Sequence, residues 1–495
     1  MASESSIIGA PIGRIEGPDK VSGRTVFAAD GGRTKRRCNL VVGWGIMQAM
    51  ANSQPGATEQ IAQFVVDSRF GDLPANVVDA AKIAVLDGIG VMLAGSMEAP
   101  AQIVAEYVRT LGGASACTVA GTGFKTNAPS AAFANGVAGH CLDFEIQGNP
   151  PTHGTSSCLP AALALAEQTG AGGSAVIEAY VLAWEVQGRL RAASAHATRH
   201  AFHPPGLVGP IGSAVASAKI LGLDAPATRM AIGVAASRTG GLTANTGTMT
   251  KSTHPGNAAR MGVEAALLAQ AGFTSSPYAL ESPTGWDAAL FGGEVDWDTA
   301  TGGLGASFRL TDPGFDIKRF PAQIYMQRSI EAALNLRETL GPRIDDIEAV
   351  VVETNRPGYG GSGAPSGLAG KFSLEYCAAI ALLDGHVAID SFANDRYFAP
   401  DVQALLGKVK VVSDTQLVGA QVSARMADGR TFNETCVDFR GAMANPMSKD
   451  ERLAKFRYCA GRVLSTDATE QLLETIEMLE RLPDVGSLMG SLSAR

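Results

Sequence analysis

Apolar residues recur at helical spacing through most of the chain from Thr58 onward. Ile61, Phe64 and Val65 share one face, and Pro74 opens a segment in which Val77, Ala81, Val85, Ile89 and Met92 lie three or four residues apart before Gly95 ends it. The same period predicts helices over about 157–168, 174–195, 209–221 and 257–271, the last two closed by Gly222 and Gly272. Runs of Ala, Gly and Ser within them predict close contact of one helix with the next.

After about residue 312 the pattern changes. A helix near 325–339 precedes the β-branched run Ile347 to Thr354, a Gly-rich loop from Gly358 to Gly370 and a helix near 372–384. Two further strand-like runs, Lys408 to Val412 and Val422 to Met426, lead into a turn at Asp428-Gly429 and a return strand, Thr431 to Val437. Helix then resumes: Ser448 and Glu451 have capping-box spacing, and Leu472, Ile476, Leu479 and Leu482 form an apolar stripe. The expected fold is mainly α with an α+β second domain. Residues 1–55 are a poorly structured extension, 56–312 begin a helical domain, and 313–440 form the α+β part. Residues 441–495 return to the helical domain and make it discontinuous. No solenoid repeat is present.

Composition narrows the function. The 495 residues are 46% apolar and 18% charged, with a formal net charge of −8. Such a chain folds around a large core and lacks the positive field of a nucleic-acid binder. Seven widely spaced Cys without a Cys-x-x-Cys pair suit a reduced cytosolic protein. Neither an export signal nor an apolar stretch of membrane-spanning length is read, so a cytoplasmic, soluble protein is expected. Residues 1–55 stand apart, with the basic run Arg33 to Arg37. The stretch Gly9 to Asp30 resembles the opening of the large subunit of molybdenum hydroxylases, but the likeness stops after about 22 residues. It is read as a tail or a gene-boundary remnant, with Met47 or Met50 as alternative starts.

Six of the seven His lie between residues 140 and 254. They fall in four groups: His140-Cys-Leu-Asp143-Phe-Glu145; Thr152-His153-Gly154; His196, His200 and His203 before Pro204-Pro205; and Lys251-Ser-Thr-His254-Pro. Each group stands beside Pro, Gly or Thr in an expected loop. The chemistry this suggests is acid/base catalysis on an anionic substrate, since breaking a bond beside a carboxylate builds negative charge that needs cations nearby. Lys251, His254, Lys318 and Arg319 would supply the cationic side, and Asp143 would orient an imidazole or act as base. Taken singly, Asp143 reads equally as a helix cap, Lys251 as a solvated charge and His140 as a core imidazole. A metal site is the alternative for His196, His200 and His203 at i, i+4 and i+7, but Pro204-Pro205 disfavours a helix there and no metal is expected. No dinucleotide, Walker A or nucleophile-elbow motif competes, and Cys141 and Cys158 read as buried thiols.

At these residues the chain resembles the MmgE/PrpD family, which includes 2-methylcitrate dehydratase, cis-aconitate decarboxylase and iminodisuccinate epimerase. The resemblance covers about residues 57–490. It is carried by Asn135 to Phe144, Thr152-His153, Glu185 to Leu190, Phe202 to Gly209, Lys251 to Ala259 and Lys318 to Ala322. The Glu185 and Phe202 blocks are most similar to cis-aconitate decarboxylase. The resemblance implies a homodimer, an α+β lid and a cofactor-free site in the cleft below it. It implies catalytic roles for Asp143, His153, His203 and Lys251, and substrate contacts for His254, Lys318, Arg319, Gln147, Gln323 and Tyr359. Two departures stand out: Gln323 occupies the place of a catalytic His, and Gln147 that of a pocket Thr. Tyr359 lies one position from a lid Tyr. The expected function is therefore a cofactor-independent lyase on a di- or tricarboxylic acid. The alternatives are an epimerase or isomerase of an α-substituted dicarboxylate such as iminodisuccinate, or a non-catalytic carboxylate-binding paralogue.

Overall fold

Helices apolar on every side make the centre of the structure, a computed structural model that describes residues 55–197, 201–355 and 365–493. Ala128–His140, Gly154–Thr169, Gly173–Ala193 and Pro204–Ile220 are buried along almost their whole length. A helix enclosed by others needs no polar stripe. Ala75–Ser96 and Thr250–Gln270 pack beside them.

Small residues set how close these helices come. A Cβ on Gly136 would lie 2.7 Å from Gly256 Cα, and one on Gly256 would lie 2.8 Å from the Phe133 carbonyl oxygen. Only glycine at both positions allows Ala128–His140 and Thr250–Gln270 to cross at this distance. That crossing brings His140 at the end of one helix to Lys251 at the start of the other.

The apolar core of this helical part runs from Ile61 to Ile317 and takes in Phe456, Leu472, Ile476 and Leu479 near the C-terminus. The Lys449–Ala460 helix lies against Ala75–Ser96. Its capping box is present: Ser448 Oγ accepts from Glu451 N at 3.2 Å, and Glu451 Oε2 accepts from Ser448 N at 2.7 Å.

A second apolar cluster gathers side chains from Phe320 to Ala442. It is built on a four-stranded sheet in the order Val409–Ser413, Ile347–Thr354, Ala420–Met426, Thr431–Cys436. The first pair is parallel and the others antiparallel. Ile347, Val350 and Val352 face inward, and the helices Met326–Leu340 and Leu374–Asp384 cover that face. The turn at Asp428-Gly429 joins the last two strands as the sequence predicts.

Two helix readings need adjustment. Ala128–His140 is a helix for which the apolar spacing gives no prediction, and Thr250–Gln270 begins about seven residues early. Around the histidines 196–203, Gly173–Ala193 ends before His196 and His203 caps the next helix, in keeping with the disfavoured helix at Pro204-Pro205. The basic run and the Gly9 to Asp30 stretch lie outside the described residues, as do His200 and Tyr359. Among the described residues, no helix is long and apolar enough to cross a membrane, and six cysteines are buried free thiols.

Candidate active site

Four helix ends meet at one point. His153 is the N-cap of Gly154–Thr169, His203 is the N-cap of Pro204–Ile220, and Lys251 stands in the first turn of Thr250–Gln270. His140 ends Ala128–His140, and the chain then turns through Asp143, whose φ of 51° is left-handed. The three N-termini add positive potential to the space between them, which suits an anion.

The side chains form a connected network. Glu145 Oε1 accepts from His140 Nδ1 at 2.5 Å and from Ser156 Oγ at 3.0 Å, and it lies 2.9 Å from His153 Nδ1. With its proton on Nδ1, His140 presents Nε2 as an acceptor to the Lys251 ammonium at 2.8 Å. Lys251 also donates to Asp143 Oδ2 at 2.5 Å. Lys318 holds the other carboxylate oxygen of Asp143 and its carbonyl oxygen. His203 and His254 share a hydrogen bond between their Nδ1 atoms at 3.1 Å. Ring centroids of His140, His153 and His203 lie 4.7 to 5.9 Å apart.

The loop that carries Asp143 and Glu145 is braced from behind. Lys455 donates to the Phe144 carbonyl oxygen at 2.8 Å and pairs with Asp87 at 2.6 Å, while Asp87 Oδ2 accepts from Ile146 N at 3.0 Å. Lys371 reaches the Leu142 and Pro321 carbonyl oxygens at 3.4 and 3.3 Å. Gln323 N donates to the Lys371 carbonyl oxygen, which ties the 320s segment to the same place. Gly154 lets the His153 cap sit against Trp184, since a Cβ there would fall 2.3 Å from its ring.

Burial and the Lys251 charge together hold the imidazoles neutral. Both push His140 and His254 down to about 4. His153 is lowered, chiefly by burial, and His203 lies well below the usual histidine range for the same reason, reinforced by Lys251 and the neighbouring imidazoles. Burial opposes ionisation of Asp143 and Glu145. Lys251 and Lys318 overcome it at Asp143, and His140 and His153 at Glu145, so both carboxylates stay charged well below their ordinary range.

A cavity of about 450 Å³ opens onto this network, with Asp143, His153, His203 and Lys251 on its wall. Gln147 and Gln323 also line it, and the Gln323 amide oxygen accepts from Tyr325 N at 2.8 Å. The structure thus brings together all four residues expected to be catalytic. The expected substrate contacts are corrected in three places. Lys318 is fully buried beneath Asp143 and does not reach the cavity wall. Arg319, one residue on, turns outward, lies over the Phe320 ring and sits 3.7 Å from Glu331. His254 meets the cavity only through His203. His196 bonds the Glu294 carbonyl oxygen instead of joining a metal site. His140, His153 and His203 do bring ring nitrogens within 4.8 Å of one another. Both His140 nitrogens are engaged, however, one of them by an ammonium that would repel a cation.

Residue-level reading missed the roles of Glu145 and Arg191. Glu145 was legible as a carboxylate five residues after His140. Arg191 directly follows the Glu185 to Leu190 block and lines the cavity.

Comparison with known proteins places this geometry. Residues 59–298 match the MmgE/PrpD N-terminal domain and residues 320–481 the MmgE/PrpD C-terminal domain. The chain belongs to the MmgE/PrpD family. It is 32% identical to cis-aconitate decarboxylase of Homo sapiens, an alignment spanning 87% of this chain and 93% of that protein. It is 25% identical to cis-aconitate decarboxylase of Aspergillus terreus, over 89% and 96% of the two chains. Against 2-methylcitrate dehydratase of Salmonella typhimurium the identity is 25%, over 74% of this chain and 82% of that one. Among MmgE/PrpD proteins, the relatives thus include decarboxylases and a dehydratase.

Proposed function

We propose that the protein is a cofactor-independent lyase that decarboxylates or dehydrates a di- or tricarboxylic acid by acid/base catalysis. The observation that carries this reading is the Lys251 ammonium, fixed between Asp143 and His140, on the wall of a cavity shared with the neutral imidazoles of His153 and His203. A carboxylate there meets a fixed cation and three helix N-termini. In decarboxylation the bond to one carboxyl carbon breaks and CO₂ leaves. The electron pair stays on the substrate, spread toward an unsaturated carboxylate held by Lys251, and carbon takes one proton from a neighbouring imidazolium. That imidazolium is supplied on binding, because the substrate's negative charge raises imidazoles that Lys251 and burial had lowered. In dehydration one neutral imidazole removes a proton from carbon, and the hydroxyl on the adjacent carbon leaves as water with a proton given by the other imidazole, protonated on binding, so that one ring gains the proton the other loses.

Gln323 favours a second reading at the same site. Its amide stays neutral and cannot deliver a proton, which suits an epimerase that takes and returns one α-proton through His153 or His203. We further propose that residues 313–440 act as a lid over a discontinuous helical domain and that the protein works as a homodimer.

NMR of the purified protein with cis-aconitate, 2-methylcitrate and iminodisuccinate in deuterated water tests these readings. Loss of CO₂ or water supports the lyase, exchange without either supports the epimerase, and no change in any acid leaves the binding paralogue. Lys251→Ala is expected to lower turnover about 10²–10³-fold, the usual cost of a lost charge-stabilising donor. Near-normal activity would remove Lys251 from the mechanism.

A further inference from the structure

We infer that Arg191 and Tyr325 form a second carboxylate subsite at the mouth of the cavity, so that the acid bound there carries a carboxylate at each end. This rests on the carboxylate reading given above and adds a statement about the length and charge of the ligand.

The cavity wall is tiered. Asp143, His153 and Lys251 are buried, whereas Arg191, Gln323 and Tyr325 are half-buried. Two cations, Lys251 and Arg191, thus stand at different depths. Among the described residues that line the wall, Asp143 is the one carboxylate, and it is already held by Lys251 and Lys318. Arg191 comes from the last turn of Gly173–Ala193 and donates from Nε to the Pro151 carbonyl oxygen at 3.2 Å, a bond that fixes its direction. Burial works against its charge and the Tyr325 phenol beside it works in favour. An arriving carboxylate would add to that favourable side and match the planar guanidinium with two parallel hydrogen bonds. Tyr325 follows Gln323 by two residues, and its backbone N–H fixes the Gln323 amide. The outer subsite and the glutamine therefore form one structural piece.

The test is binding of propane-1,2,3-tricarboxylate and of butyrate, measured by ligand-observed NMR on wild type, Arg191→Met, Arg191→Lys and Tyr325→Phe. Arg191→Met is expected to weaken the tricarboxylate about 30- to 100-fold, the scale of a lost charge-assisted pair. Butyrate, which reaches only the inner cation, should change less than about twofold. Arg191→Lys keeps the charge and should recover about tenfold, which a lost brace on Pro151 would not give. Tyr325→Phe should fall between Arg191→Lys and Arg191→Met. Equal weakening of both acids, an unchanged tricarboxylate, or no recovery with lysine would each overturn the subsite. A wild type that binds neither acid would instead overturn the carboxylate reading on which it depends.

Discussion

Replacing Asp143 with Asn isolates the electrostatics that hold the site together. The side chain keeps its size, but the buried ammonium groups of Lys251 and Lys318 lose their shared carboxylate. Lys318 is fully buried, so water cannot replace the lost partner. Removing one member of a buried ion pair costs about 3–5 kcal/mol because the other charge remains uncompensated. At about 2 cal/mol/K of unfolding entropy per residue, a unit of this size loses roughly 1 °C of Tm per kcal/mol, so a drop of about 4 °C is expected. The Asp143 carboxyl is held well below its ordinary range, so its contribution is complete above the unfolded value of about 3.9 and is lost only as pH falls through the lower folded value. The gap between wild type and variant should therefore be level from about pH 5 to 8 and close below about pH 4. Scanning calorimetry at several pH values measures this. The same substitution made on top of Lys318→Met should cost less, since one orphaned charge is already gone. A Tm change under about 1 °C, or the same cost in both backgrounds, would refute the reasoning.

Other consequences can be checked separately. Arg319→Ala should leave turnover within about twofold, because the side chain faces outward against Glu331 and Phe320; a loss comparable to that of Lys251→Ala would put Arg319 back in the site. Gly154→Ala sets a Cβ against the Trp184 ring and must displace the His153 cap. It should lower kcat by an order of magnitude or more, as a misplacement of about 1 Å can, and unchanged kinetics would show that the His153 position does not matter.

Much of the fold was legible because it rests on local rules. The Asp428-Gly429 turn, the Ser448 to Glu451 capping box and the alternation from Ile347 to Thr354 each follow from a few adjacent residues. Ala128–His140 was not legible, since its Ala, Gly and Ser leave Phe133 and Val137 as too few large apolar residues to mark a period. The start of Thr250–Gln270 was hidden by Pro255, which removes an intrahelical hydrogen bond and reads as a break.

The candidate site divides in the same way. His153, His203 and Lys251 were found as chemical types in one region of the chain, and the crossing at Gly136 and Gly256 explains how distant segments meet. Which way a side chain points was not available. Lys318 and Arg319 are neighbours in sequence, yet one lies under Asp143 and the other faces solvent. Arg191, in the last turn of Gly173–Ala193, lines the cavity, which its place after the Glu185 to Leu190 block does not reveal.

The most direct test of the central claim is nitrogen NMR of the protein labelled with ¹⁵N-histidine at pH 7, recorded empty and with propane-1,2,3-tricarboxylate. The account predicts neutral rings for His140, His153, His203 and His254 in the empty protein, with the His140 proton on Nδ1 facing Glu145. On binding, His153 or His203 should become an imidazolium. Imidazolium at these positions before ligand is added, or four unchanged rings at saturation, would contradict it.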